Sequence, residues 1–97
     1  MYHNLKTGLK TYFLSFDDGS RLEIMNRPNM KKKEFDMYQQ GLIHLSFKLG
    51  SRERVDELTK KLQNADYEVL SGPRVTGDGY YESCILAFEN NMLELVA

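Results

Sequence analysis

Glu23 is the only acid of the β-prone run 21–25, Glu94 is the only acid of the run 92–96, and His44 is the only histidine of the run 42–48. Side chains alternate across an extended chain. Leu22 and Ile24 therefore share one face while Glu23 points to the other, and Leu93 and Leu95 oppose Glu94 in the same way. Ile43, Leu45 and Phe47 line one side of the third run, with His44 and Ser46 on its reverse. If the reverse sides form the concave face of one curved sheet, two carboxylates and an imidazole converge. That mixed oxygen and nitrogen set suits a divalent Zn, Ni, Mn, Fe or Co ion, with nothing to select among them. Such an ion would polarise substrate oxygens, and an exchangeable carboxylate, Glu94, would serve as base. Each residue alone also fits a bland reading, because a mid-strand glutamate is usually the solvent side of an alternating strand. What raises the three together is a repeat: Phe16, a turn and Leu22-Glu23-Ile24-Met25 match Phe88, a turn and Leu93-Glu94-Leu95-Val96.

The elements that must position these groups can be read in order. Residues 10–16 are aromatic and β-rich and end at Asp17-Asp18-Gly19-Ser20, a turn signal, so residues 10–25 form a hairpin. Residues 26–40 hold Pro28 and the basic cluster Lys31-Lys32-Lys33 with little periodicity, which describes a solvated loop more readily than an anion-binding patch. Residues 42–48 form a third strand. Ser51 then caps a helix from 51 to about 65 whose apolar stripe is Val55, Leu58, Leu62 and Ala65. Residues 67–70 read as a short strand stopped by Ser71-Gly72-Pro73, and residues 76–79 as a turn. Residues 81–88 and 92–96 are the closing strands. The second copy of the repeat is thus preceded by strand, helix and strand, whereas the first copy is short of an opening strand and helix.

The remaining candidates are weaker. Tyr80 and Tyr81 could line a pocket or pack a strand, Arg74 could meet an anionic substrate group, and His3 near the terminus is assigned nothing. Residues 76–79 are too short for a phosphate loop and no helix follows them. The lone cysteine, Cys84, forms no internal disulfide; it has no basic neighbour to activate a thiolate and reads as a packed strand residue in a reducing, cytoplasmic setting. A net charge of −1 over 97 residues provides no field for nucleic acid, and no apolar run approaches the ~20 residues that cross a bilayer. The start of the chain, 1–6, has no signal-peptide core.

The segments Gly41-Leu42-Ile43-His44-Leu45-Ser46-Phe47, Gly50-Ser51 with its helix, 76–83 and Asn91-Met92-Leu93-Glu94-Leu95, together with Tyr12–Phe16 leading to Leu22-Glu23-Ile24, resemble the vicinal-oxygen-chelate superfamily of glyoxalases, bleomycin-resistance proteins and extradiol dioxygenases. The resemblance implies an α+β fold of paired βαβββ modules around a curved mixed sheet, the first module incomplete. Residues 1–30 would be the remainder of that module, 31–40 a linker and 41–97 the second module. By position it makes His44 the first-strand ligand and Glu94 the last-strand ligand of the second module, and Glu23 the last-strand ligand of the first. The histidine usual on the first strand of module one has no counterpart. The turn before the last strand is commonly Asp-Pro-Glu-Gly-Asn in the family and is Ala87-Phe88-Glu89-Asn90-Asn91 here, with Asn90 tolerating the left-handed backbone that glycine would supply. The expected activity is a metal-dependent lyase or isomerase acting on a small oxygenated metabolite. Its rival is a non-catalytic, drug-sequestering module that binds ligands in the same cup without metal. A small-molecule ligand and a homodimer are the expected partners.

Overall fold

The computed structural model describes residues 1–32, 34 and 36–97; Lys33 of the predicted basic loop and Phe35 lie outside the described residues. The chain divides into two compact units, Met1–Glu34 and Phe35–Ala97. It is an α+β protein with one helix among the described residues and two sheets, one antiparallel and one mixed.

Unit 1 is a three-stranded antiparallel sheet in the order β1 (Tyr2–His3), β2 (Lys10–Ser15), β3 (Arg21–Asn26). The aromatic and β-branched content of β2 favours a pleated surface. The hairpin closes where predicted: Asp18 Oδ1 accepts from both the backbone N–H and the hydroxyl of Ser20, and Gly19 takes a positive φ. These bonds to Ser20 hold the Asp18 carboxyl below its usual range. The strand β1 is a correction to the sequence reading, which gives residues 2 and 3 no structure. Two residues carry no detectable period, yet Tyr2 and His3 pair with Thr11 and Lys10.

Unit 2 runs β4 (His44–Lys48), α1 (Arg52–Asn64), β5 (Glu68–Val75), β6 (Tyr81–Leu86), a single 3₁₀ turn (Phe88–Asn90) and β7 (Met92–Val96). This is one complete βαβββ module. Its sheet order is β4-β7-β6-β5, with β4 parallel to β7 and the other pairs antiparallel. The helix starts as expected: Ser51 Oγ accepts from the Arg54 N–H, with Glu53 in the first turn and Lys61 in the last, the charges a helix dipole favours. It ends in a Schellman arrangement. The Tyr67 N–H reaches the Leu62 carbonyl and the Asp66 N–H reaches the Gln63 carbonyl, with Asp66 left-handed where glycine is usual.

The apolar stripe of α1 covers one face of this sheet. Val55, Ile85 and Leu95 are buried, and Leu58, Leu62, Tyr67, Val69 and Tyr81 pack around them. Within that layer Ser83 and Thr59 share a hydrogen bond of 2.7 Å, and Thr59 Oγ1 also donates to the Val55 carbonyl, so two buried hydroxyls satisfy each other.

Element boundaries differ from the sequence reading in several places; the strand expected over 81–88 ends at Leu86, because the chain turns through Phe88–Asn90 before β7. Strand β4 begins at His44, leaving Leu42 and Ile43 outside it and exposed. Strand β5 does not stop at Ser71-Gly72-Pro73 but continues to Val75. It is an edge strand, where a proline's missing N–H costs no ladder bond, and its register with β6 shifts through this stretch. Gly72, at positive φ, lies so close to the Glu82 carbonyl and the Ser83 Cα that a Cβ there would clash.

Candidate functional site

The two hairpins correspond residue by residue, at one constant offset. Phe13 opposes Glu23 as Cys84 opposes Glu94, Leu14 opposes Leu22 as Ile85 opposes Leu93, and Tyr12 opposes Ile24 as Ser83 opposes Leu95. The turns agree as well: the Phe16 N–H bonds the Ser20 carbonyl just as the Ala87 N–H bonds the Asn91 carbonyl. The glutamates are therefore true counterparts. The phenylalanines of the sequence match are not, because Phe16 corresponds to Ala87 and Phe88 sits one position further on. The Glu-Asn turn before β7 is met by two left-handed residues, Glu89 at φ 57° and Asn90 at φ 60°.

On the face of the unit 2 sheet away from α1, three strands bring polar groups together. Ser46 is paired directly with Glu94 across β4 and β7, and its hydroxyl donates to Glu94 Oε1 at 2.9 Å. One pleat earlier on β4, His44 Nε2 lies 3.4 Å from Glu94 Oε2. From the other side Cys84 pairs with Glu94, and Glu82 lies one pleat along β6. Burial first, then a hydrogen bond with Glu94 and its neighbouring charge, hold the Glu82 carboxyl above its usual range. Arg74, opposite Glu82 on β5, opposes the shift. Burial and the two glutamates push the Cys84 thiol up, which agrees with its reading as an inert strand residue.

Of the three sequence-predicted ligands, the structure brings His44 and Glu94 together in unit 2. Glu23 stands exposed on β3 of unit 1, opposite Phe13. Among the described residues no group of three or more His, Cys, Asp or Glu side chains is arranged to hold a metal ion. The chemistry of the donor pair nonetheless fits part of a shell: one imidazole nitrogen and one carboxylate oxygen, on adjacent parallel strands, are ligands that first-row divalent ions accept. Sequence reasoning misses Glu82 because it takes residues 81–88 as one closing strand without dividing its faces. Sorting that strand by parity puts Glu82 and Cys84 on the glutamate side.

The other candidates resolve into structure. Tyr81 lies on the helix side, its hydroxyl bonded to Asp56 and its ring 4.9 Å from the Arg52 guanidinium, and that bond to Asp56 chiefly raises the phenol above its ordinary range. Tyr80 is exposed, and the loop 76–79 closes on itself through Thr76 and Asp78. Two grooves of about 280 and 270 Å³ run along α1, lined by Leu49, Arg54 and Leu58 in one and by Thr59, Gln63 and Pro73 in the other. Both belong to the helix layer and not to the carboxylate face.

No family model matches the chain, and no curated protein does. Among solved structures the chain is similar to a protein of Bacillus halodurans whose assignment as a glyoxalase is provisional. The two are 26% identical, with a TM-score of 0.65 over 93% of this chain and 75% of that one. A second likeness, to a protein of Legionella pneumophila described as an NAD-dependent benzaldehyde dehydrogenase, is 19% identical with a TM-score of 0.53 over 87% of this chain and 68% of that one. At that identity it speaks for the fold alone. The α+β architecture is a glyoxalase-like one.

Proposed function

We propose that this chain is a glyoxalase-like, metal-dependent enzyme of lyase or isomerase type acting on a small oxygenated metabolite. The observation that supports it is the His44–Glu94 pair, imidazole beside carboxylate on the sheet face away from α1, at the positions the family resemblance implies. A divalent ion bound there would polarise the substrate's oxygens. The chain's own residues do the rest. His44 presents Nε2 as a donor, and Glu94, with Oε1 held by Ser46, takes a proton from a substrate carbon beside a carbonyl.

The rival reading is a non-catalytic small-molecule-binding module. It is favoured by the lack, among the described residues, of three gathered ligands. Calorimetric titration of Zn²⁺, Ni²⁺, Mn²⁺ and Co²⁺ into the purified chain separates the two. The enzyme reading expects binding tighter than the high-micromolar range, lost in His44→Ala and Glu94→Ala. Retention of small-molecule binding by both variants, with no metal bound by the parent, selects the binding module.

We extend the proposal to a cytoplasmic homodimer, with a second copy supplying further ligands. No described helix is long and apolar enough to cross a membrane. Light scattering that shows only monomer would remove the dimer.

A further inference from the structure

Charge is divided unevenly between the two units. Residues 1–34 hold seven Lys and Arg against four Asp and Glu, whereas residues 35–97 hold six against ten. Unit 1 thus carries +3 and unit 2 carries −4, a contrast that the whole-chain value of −1 hides. Unit 1 also leaves apolar surface in the open. Tyr12 pairs with Ile24 and Leu14 with Leu22, so the four share one sheet face, and Lys10 lies on that face at its end. Among the described residues of unit 1 no large apolar side chain is buried. We propose that the Tyr12, Leu14, Leu22 and Ile24 face is where a second copy of this chain docks, with the acidic unit 2 of the partner set against the basic unit 1.

Area and charge both favour a second copy as the occupant. Two separate compact bodies with the masses of units 1 and 2 would together expose about 6,800 Å². This chain exposes 8151 Å². The surplus, about 1,300 Å², exceeds the ~800 Å² that each partner contributes to a standard interface. Charge selects the arrangement. Copies docked unit 1 to unit 1 would set two basic bodies together, whereas unit 1 of each on unit 2 of the other opposes unlike charges twice and closes under a two-fold axis. The apolar patch itself is only four side chains, so the association is weak and depends on concentration. At the low micromolar concentrations of an unfolding curve the copies are apart and the face is exposed. The inference rests on the homodimer reading and names the surface through which that dimer forms.

The test is sedimentation equilibrium of the full chain from about 10 μM to about 1 mM, a span over which mass action fills a weak dimer. The parent should pass from monomer to dimer, and raising the salt from about 0.02 to about 0.5 M should weaken association by about tenfold. Leu14→Thr/Ile24→Thr keeps residues that suit a strand and removes apolar area, and it should weaken association by about tenfold as well. Phe13→Thr, on the reverse face, should stay within about twofold of the parent. A second readout needs no variant to fold: in the parent, the methyl resonances of Leu14, Leu22 and Ile24 should move on dilution while that of buried Ile85 stays. A parent that is monomeric at every concentration overturns this surface and the homodimer together. A dimer indifferent to salt, one that Leu14→Thr/Ile24→Thr leaves at parental strength, or one whose Leu14, Leu22 and Ile24 resonances stay fixed on dilution overturns this surface alone. Titration of Zn²⁺ into the same samples reads the metal site separately.

Discussion

The two units contain the same hairpin in different company. In unit 2 the face formed by Ser83, Ile85, Leu93 and Leu95 lies under α1, and Ile85 is 1% exposed. In unit 1 the counterpart face is Tyr12, Leu14, Leu22 and Ile24; no described helix of that unit covers it, and Leu14 is 47% exposed. The reverse faces differ too, since Glu94 is flanked by Ser46 and Glu82 while Glu23 is not. A hairpin sequence therefore specifies its own register and turn, but the worth of each side chain is set by what the next element lays over it. Burial of apolar area is what makes the same position structural in one unit and idle in the other.

The sharpest way to break this comparison is a matched pair of core substitutions. Ile85→Ala should destabilise the protein by about 2–5 kcal/mol, as large-to-small changes at buried sites do. Leu14→Ala, at the counterpart position, should cost only about 0.5 kcal/mol. Denaturant unfolding of both variants checks this, and equal losses would mean that the Leu14 face is covered in solution. The next effect belongs to a residue pair without a unit 1 equivalent. Thr59→Val strands the buried Ser83 hydroxyl and should cost about 1–3 kcal/mol in the same assay, with Thr59→Val/Ser83→Ala recovering part of it.

The units also answer pH with opposite sign. Asp18 of unit 1 is lowered by its bonds to Ser20, so the stability it contributes is present above its unfolded value near 3.8 and is lost as pH falls through the lower folded value. Glu82 of unit 2 is raised, so the folded state holds its proton more tightly. Its contribution is full below about pH 4.5 and is lost as pH rises through the folded value. Stability curves against pH for Asp18→Asn and Glu82→Gln should flatten on opposite sides of that range. The smallest expected change is at the end of α1. Asp66→Gly relieves a left-handed non-glycine residue and should raise stability by about 1 kcal/mol, read as a higher melting temperature.

Much of this is legible from local signals. Ser51 with the stripe from Val55 announces α1, Asp17-Asp18-Gly19-Ser20 announces the first hairpin, and strand alternation puts His44 with Ser46 on one face of their strand and Glu94 opposite Leu93 and Leu95 on its own. The failures have physical causes. Gly72-Pro73 resembles a stop because it breaks a central strand, and only the sheet order reveals that β5 is an edge that tolerates it. Tyr2 and His3 pair because β2 offers a free edge, which no two-residue pattern can disclose. Glu82 stays hidden until its strand is divided by face. The Phe16 and Phe88 match aligns by residue type what the ladder offsets by one.

The central claim, a divalent ion held in part by His44 and Glu94, is met most directly by anomalous diffraction from crystals grown with Zn²⁺. The expected result is a peak within about 2.0–2.2 Å of His44 Nε2 and of a Glu94 carboxylate oxygen, the bonding distances of zinc to these donors. A well-ordered structure with no peak beside those two atoms, or with the ion bound elsewhere, would contradict it.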